Sequence, residues 1–248
     1  MLIPAYNCAP YLEELVRRTT LRAAGDEIII VDDASTDGTF DVAAAQPNVH
    51  VERNDASRGY GGTSKRLYEI ALRRGADITV NIHGDLGHRP EDIAPLVEAL
   101  AAGRTDMALG SRLMYLKGLG LRGLFNRQAR HNMPMARALG HFGLTWFQNV
   151  CFGTKLHSFH DGMRGCNRKV VQWLLGQDFP SWYDFDTELL IHAWRAGFAI
   201  EEIPVPPNYN HKSASAAPPI KYGLRVARHA LRKLPSRFSA RGRRPAAK

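Results

Sequence analysis

The run Ile28-Ile29-Ile30-Val31 constrains this chain more than any other stretch. Four successive β-branched side chains suit extended backbone. In a strand they point alternately to opposite faces, so this run is apolar on both. Such a strand belongs inside a mostly parallel sheet with helices above and below. It ends abruptly in Asp32-Asp33-Ala34-Ser35-Thr36-Asp37-Gly38-Thr39, a turn rich in acceptors. Open α/β sheets bind ligands outside the carboxyl ends of such strands.

The pattern recurs through residues 1–112. Leu2-Ile3-Pro4 enters a strand at once and breaks at Ala5-Tyr6-Asn7. Pro10 then opens a helix with Leu12, Leu15 and Val16 on one side. A strand at 49–52 leads to a loop holding Gly59, Tyr60, Gly61 and Gly62. These glycines would let backbone N–H groups approach a phosphate, or the loop is flexible and Thr63 caps the next helix. Ile78-Thr79-Val80-Asn81-Ile82 ends in His83-Gly84-Asp85, and Pro90-Glu91-Asp92 opens another helix. Alone, this is either a strand with a polar turn or a place where Asp85 and His83 face one ion. A strand at 106–109 ends in Gly110-Ser111-Arg112. The alternation predicts an α/β fold, a parallel sheet built by right-handed crossovers.

Residues 113–156 mix Phe142, Trp146, Phe147 and Phe152 with Arg122, Arg127 and Arg130, as a helical insertion over a site would. His157 to Arg164 read as a short polar segment. Residues 182–188 lead into a helix, and 200–205 form an edge strand because Pro206 and Pro207 follow. Residues 1–218 read as a single domain, with halves 1–112 and 113–218. Residues 219–234 read as a basic amphipathic helix and 235–248 as a disordered basic tail.

The formal net charge of +9 belongs to that tail. From Lys221 onward there are ten Lys/Arg and no acid; residues 1–220 carry 23 basic and 24 acidic groups. A near-neutral body without aromatic-interleaved basic patches speaks against nucleic acid as a partner. The tail helix suits an anionic membrane surface, or else packs on the domain. No apolar run approaches the roughly 20 residues that span a bilayer. Cys8, Cys151 and Cys166 form no disulfide or zinc pattern, which fits a reducing compartment.

Taken in order, these pieces resemble glycosyltransferase family 2, in its polyprenyl-phosphate (dolichyl-phosphate) sugar synthase branch. The matching segments are Ile3-Pro4-Ala5-Tyr6-Asn7, Val31 through Thr39, Arg58-Gly59-Tyr60-Gly61-Gly62, His83-Gly84-Asp85, Gly110-Ser111-Arg112, Gly162-Met163-Arg164 and Phe185-Asp186-Thr187-Glu188. The resemblance implies a glycosyltransferase A-type fold with a Rossmann-like sheet. It implies inverting sugar transfer to a polyprenyl phosphate by a cytoplasmic enzyme peripheral on the membrane, with a membrane-protein partner also to be expected. A soluble transferase acting on a hydroxyl, or a catalytically silent relative, are the alternatives. It assigns the nucleotide sugar to Pro4, Ala5, Tyr6, Asn7, Asp33, Ser35, Arg58, Gly59, Gly84 and Asp85. Arg112 and Arg164 would face phosphates, and Mn²⁺ or Mg²⁺ would sit on Asp85 and His83. Asp85 and Asp186 would be catalytic, Asp186 falling on the base position of relatives with hydroxyl acceptors. Read bottom-up, Asp186 and Glu188 equally suit a helix N-terminus.

Three departures bear on this. His83 stands where the family has the first acid of a D-x-D; an imidazole with one carboxylate leans toward Mn²⁺ over Mg²⁺. Cys8 replaces an acid after Asn7. Asp161 stands where relatives have a small residue, and a carboxylate there is expected to repel an anionic acceptor.

Overall fold

Side-chain alternation sets the layering. In the computed structural model, which describes residues 1–21, 23, 25–128 and 133–208, the strands are β1 (Leu2–Ala5), β2 (Ile28–Asp32), β3 (Val49–Arg53), β4 (Ile78–Asn81), β5 (Met107–Ser111), β6 (Arg164–Asn167) and β7 (Ile200–Pro204). Every residue of β2 is buried. Ile29 and Val31 join one core with Leu2, Leu67 and Leu174. Ile28 and Ile30 join the other, with Ile3, Leu12 and Leu96. The run of β-branched residues thus feeds two cores, one on each face of the sheet.

The helices are α1 (Ala9–Arg18), α2 (Thr39–Ala44), α3 (Gly59–Arg73), α4 (Ile93–Ala101), α5 (Arg112–Gly118), α6 (Gly120–Phe125), α7 (Met135–Phe152), α8 (Arg168–Leu175) and α9 (Phe185–Arg195). The first core is closed by α3, α8 and α9, the second by α1, α2 and α4. A smaller cluster, Leu113, Leu116, Met133 and Ala138, joins α5 to α7. No helix among the described residues is long and apolar enough to cross a membrane. The basic helix and tail expected at 219–248 lie outside the described residues.

Among the described residues the sheet order is β3-β2-β1-β4-β6-β5-β7. β1 pairs in parallel with β2 on one side and β4 on the other, so the chain reverses its direction of growth there. That is the switch point at which open sheets hold ligands. β7 lies at an edge, as the prolines after it predict.

The structure adds one element and corrects one reading. The polar segment at 157–164 ends in a strand: Arg164 begins β6, antiparallel to both β4 and β5. The strand carries no apolar run to announce it. Gly165 is what lets it in, since a Cβ there would lie 2.6 Å from Leu100 Cδ1. Helix α3 also begins at Gly59, not after a flexible loop capped by Thr63.

Deleting three carbons from Ile30, which has no solvent exposure, leaves a cavity at the second core. Ile30→Ala should destabilise the protein by about 2–5 kcal/mol, read from urea unfolding at pH 7. A loss under ~1 kcal/mol would mean that β2 is not locked between two layers.

Candidate active site

Because β1, β2, β3, β4, β5 and β7 share one direction, their carboxyl ends lie along one edge. The antiparallel β6 begins at that edge. The loops carrying nearly all the expected site residues therefore meet there.

The first two loops interlock. Asn7 has φ 47° and Ala34 φ 58°; Asn adopts this left-handed conformation readily, whereas Ala does so at a cost that its surroundings must offset. Asn7 N–H donates to Ser35 Oγ at 2.9 Å, and Asn7 Oδ1 accepts Thr36 N–H at 3.0 Å. Cys8 N–H donates to Thr39 Oγ1 at 2.9 Å. Pro4 and Ala5 stay within β1, while Tyr6 projects into solvent. Burial pushes the Cys8 thiol up to about 12, so it stays protonated. Its Sγ packs on Gly84, where a Cβ would come within 2.8 Å.

Asp33 organises the next layer. Its carboxylate accepts Asn54 Nδ2 at 2.7 Å, Ser57 Oγ at 2.8 Å, Arg58 N–H at 2.7 Å and Gly59 N–H at 3.0 Å. It therefore caps α3 from a distant strand and complements the positive end of the helix dipole. The N–H groups of Arg58 and Gly59 point at this carboxylate rather than at an open phosphate position. Gly61 N–H donates to Ser181 O at 2.8 Å. A Cβ on Gly59 or Gly61 would strike Ser181 O at 2.5 Å or Pro180 O at 2.2 Å. The glycines serve close approach of the 180–185 segment.

That approach assembles a hydrogen-bonded chain across the cleft. Tyr60 Oη lies 3.0 Å from Asp186 Oδ2 and 3.3 Å from His83 Nε2. An ionised carboxylate only accepts, so the single phenolic proton goes to Asp186. The Tyr60 oxygen then accepts from His83, which places a proton on Nε2. Burial, followed by the Asp186 charge, drives the Tyr60 pKa well up, which keeps that proton in place. Gly162 closes the other side, since a Cβ there would lie 2.1 Å from His83 Nε2. A second tyrosine, Tyr183, stacks on Tyr60 at 5.7 Å. Its pKa is raised by burial and then by the nearby Asp85 carboxylate.

The expected phosphate-facing arginines differ in placement. Arg164 is buried, and its guanidinium donates to the carbonyls of Phe159, Asp161 and Asp186, with Nε 3.5 Å from Asp186 Oδ1. It braces the base of the site. Arg112 starts α5 and stays partly accessible. Its N–H donates to Asp161 Oδ2 at 3.0 Å and its Nε lies 3.4 Å from Oδ1. Arg112 Nη2 also donates to His88, which must accept and is thus neutral. Burial and then Arg112 lower the His88 pKa. Asp161 is therefore compensated by a cation, and the repulsion of an anion expected from it is correspondingly reduced.

The resemblance implies a divalent cation, which these groups suit unequally. Asp85 fits: it stands in the loop after β4 at the carboxyl edge of the sheet, and Oδ1 accepts Gly87 N–H at 2.9 Å. His83 Nε2 is engaged by the Tyr60 hydroxyl at 3.3 Å, so a cation on His83 would have to displace that contact or use Nδ1. No three His, Cys, Asp or Glu among the described residues form a cage. A hard cation held by one carboxylate plus substrate phosphates needs no such cage. Tyr60, Tyr183, Asn54 and His88 were missed as site residues by sequence reasoning. Only Tyr60 carried a signal there, as a large residue between glycines.

The family model described as glycosyl transferase family 2 matches residues 1–174. A polyprenol monophosphomannose synthase of Mycolicibacterium smegmatis is 29% identical over 211 residues, 83% of this chain and 75% of that protein. A UDP-N-acetylglucosamine–dolichyl-phosphate N-acetylglucosaminyltransferase of Methanococcus voltae is 25% identical over 242 residues, 91% and 92% of the two chains. Glucosyl-3-phosphoglycerate synthase of Mycobacterium tuberculosis, solved with Mn²⁺, UDP and phosphoglyceric acid, superposes with a TM-score of 0.65. It is 19% identical, covering 93% of this chain and 75% of that one, and shows the same fold.

Asp33 yields a pH test. Burial alone would raise its pKa, but hydrogen bonds from Arg58, Asn54, Ser57 and Thr63 outweigh this and hold it below the ordinary 3.8. A depressed folded pKa gives stability that is complete above the unfolded value and lost as pH falls through the folded one. Asp33→Asn should cost about 1–3 kcal/mol at pH 7 and flatten the acid limb of stability. Urea unfolding stepped from pH 6 to pH 2 checks this; an acid limb identical to the parent's refutes it.

Proposed function

The chain belongs to glycosyltransferase family 2, and on that premise we propose that it transfers a sugar, with inversion, from a nucleotide sugar to a polyprenyl phosphate at a membrane surface. The acceptor oxygen forms a bond to the anomeric carbon as the bond from that carbon to the nucleoside diphosphate breaks. Asp85 would hold a divalent cation, Mn²⁺ or Mg²⁺, which offsets the charge on the departing diphosphate. The interlocked turns around Tyr6, Asn7 and Ser35 support a base and ribose, with Asp33 holding their scaffold. Tyr183 shields the donor from water. Arg112, half-compensated by Asp161, keeps cationic character at the acceptor end.

The observation that carries the choice of acceptor is the state of Asp186. One oxygen accepts the Tyr60 hydroxyl and the other faces Arg164 at 3.5 Å. A carboxylate engaged on both oxygens suits positioning better than proton abstraction. A phosphate acceptor is already anionic and needs no base, whereas a saccharide hydroxyl does. The relatives named for polyprenol and dolichyl phosphate acceptors support the same reading.

A thermal-shift screen of UDP-, GDP- and dTDP-sugars with Mn²⁺ identifies the donor. Labelled transfer to a short-chain prenyl phosphate and to a soluble saccharide then separates the acceptors. Asp186→Asn should keep transfer to the prenyl phosphate within about tenfold, because no general base worth ~10²–10⁴ is removed. Near-complete loss would favour a hydroxyl acceptor. Asp85→Ala should weaken Mn²⁺-dependent donor binding by about 10–100-fold in calorimetry, on the scale of disturbed metal sites. Unchanged Mn²⁺ dependence would remove Asp85 from the metal role.

A further inference from the structure

The acid-free middle of the chain carries an exposed apolar face. Between Asp106 and Asp161 the sequence holds seven Lys/Arg and no Asp or Glu. The rest of residues 1–220 carries 16 Lys/Arg against 24 Asp/Glu. The near-neutral body is thus polarised, with its positive charge on α5, α6, α7 and the segments joining them.

Exposed large apolar side chains gather on the same elements. Leu121 and Phe125 on α6 are 76% and 73% exposed, and Trp146 on α7 is 69% exposed. Leu139 and Val150 are exposed too, with Gly140 and Gly143 between them. The positions 139, 143, 146 and 150 recur every three or four residues, so one whole outward stripe of α7 is without charge. Its inner face, with Ala138, Gln148 and Phe152, is buried in the protein. Exposed Lys117, Arg122, Arg127 and Lys155 belong to the same stretch. Soluble surfaces rarely leave such a patch open to water.

We infer that α6 and the outward stripe of α7 are the surface on which this protein docks onto an anionic bilayer. An uncharged apolar stripe on α7, with exposed apolar groups on α6 and exposed Lys and Arg in the same acid-free stretch, suits helices lying in the interface plane. At about 1.5 Å per residue, the 18 residues of α7 lie along roughly 27 Å of that surface. A second copy of this chain fits less well: a two-fold contact sets the same cationic rim against itself. Anionic headgroups neutralise that rim.

The position also serves the acceptor end of the site, an argument that rests on the polyprenyl-phosphate reading above. The ring of His141, on α7, lies 6.1 Å from that of His160. Burial lowers the His141 pKa and the Asp161 charge partly restores it, so α7 borders the Arg112–Asp161 pair. A lipid whose phosphate meets Arg112 has its chain beside α7, where the bilayer is.

The test uses the full chain with vesicles of phosphatidylglycerol and phosphatidylcholine, against phosphatidylcholine alone. The parent should cosediment with the anionic vesicles, and F125S/W146S should bind about tenfold more weakly or worse. Trp146→Phe keeps an aromatic ring; it should bind as the parent does yet lose most of the fluorescence quenching by brominated lipid. Equal binding by F125S/W146S, or unchanged quenching in Trp146→Phe, overturns the inference. So does a dimer in sedimentation velocity that F125S/W146S dissociates. Transfer to a short-chain, water-soluble prenyl phosphate should be unchanged in F125S/W146S. If the parent binds through Trp146 but transfers nothing to that acceptor, the docking face stands and the functional reading fails.

Discussion

The carboxylate of Asp33 holds the candidate site together. It leaves the carboxyl end of a strand buried in the sheet and collects donors from the loop after β3 and from the first turn of α3. Buried backbone N–H groups at a helix start need acceptors. Here the acceptor comes from another strand, so the helix start and the strand end are fixed to each other. Gly59 and Gly61 then admit the 180–185 segment, and Tyr60 reaches Asp186 and His83. Loss of that one carboxylate would loosen a chain of contacts reaching across the whole cleft.

Charge compensation organises the other end. Arg164 is deeply buried, and three carbonyl oxygens and the Asp186 carboxylate satisfy it. An arginine so enclosed acts as a brace, because an isolated buried cation would be costly. Arg112 shares its charge between Asp161 and His88 and remains closer to solvent. The two arginines look alike in the sequence, yet one is enclosed beneath the site and the other stays partly accessible beside Asp161. Beyond them, the apolar stripe of α7 and its cationic surroundings continue the site toward a surface.

Much of the architecture was legible because its causes are local. A run of β-branched residues, a proline at a helix start and a paired proline after an edge strand act on their own neighbours. Strand β6 was not legible: Arg164-Gly165-Cys166-Asn167 has no periodic apolar pattern, and its place depends on the space that Gly165 leaves beside Leu100. The glycines near residue 60 were legible as a close approach, but their partner, the carbonyls of Pro180 and Ser181, lies 120 residues away. Proximity of that kind leaves no trace in local spacing.

The sequence by itself determined the sheet, the strand ends that carry acids, and the family, since these follow from short-range sterics and from ordered motifs. Only the tertiary structure decided what each acid and cation does there. A carboxylate's role depends on which donors surround it, and those donors come from distant segments. Asp33 became a helix cap, Asp161 the partner of Arg112, and His83 a hydrogen-bond partner of Tyr60.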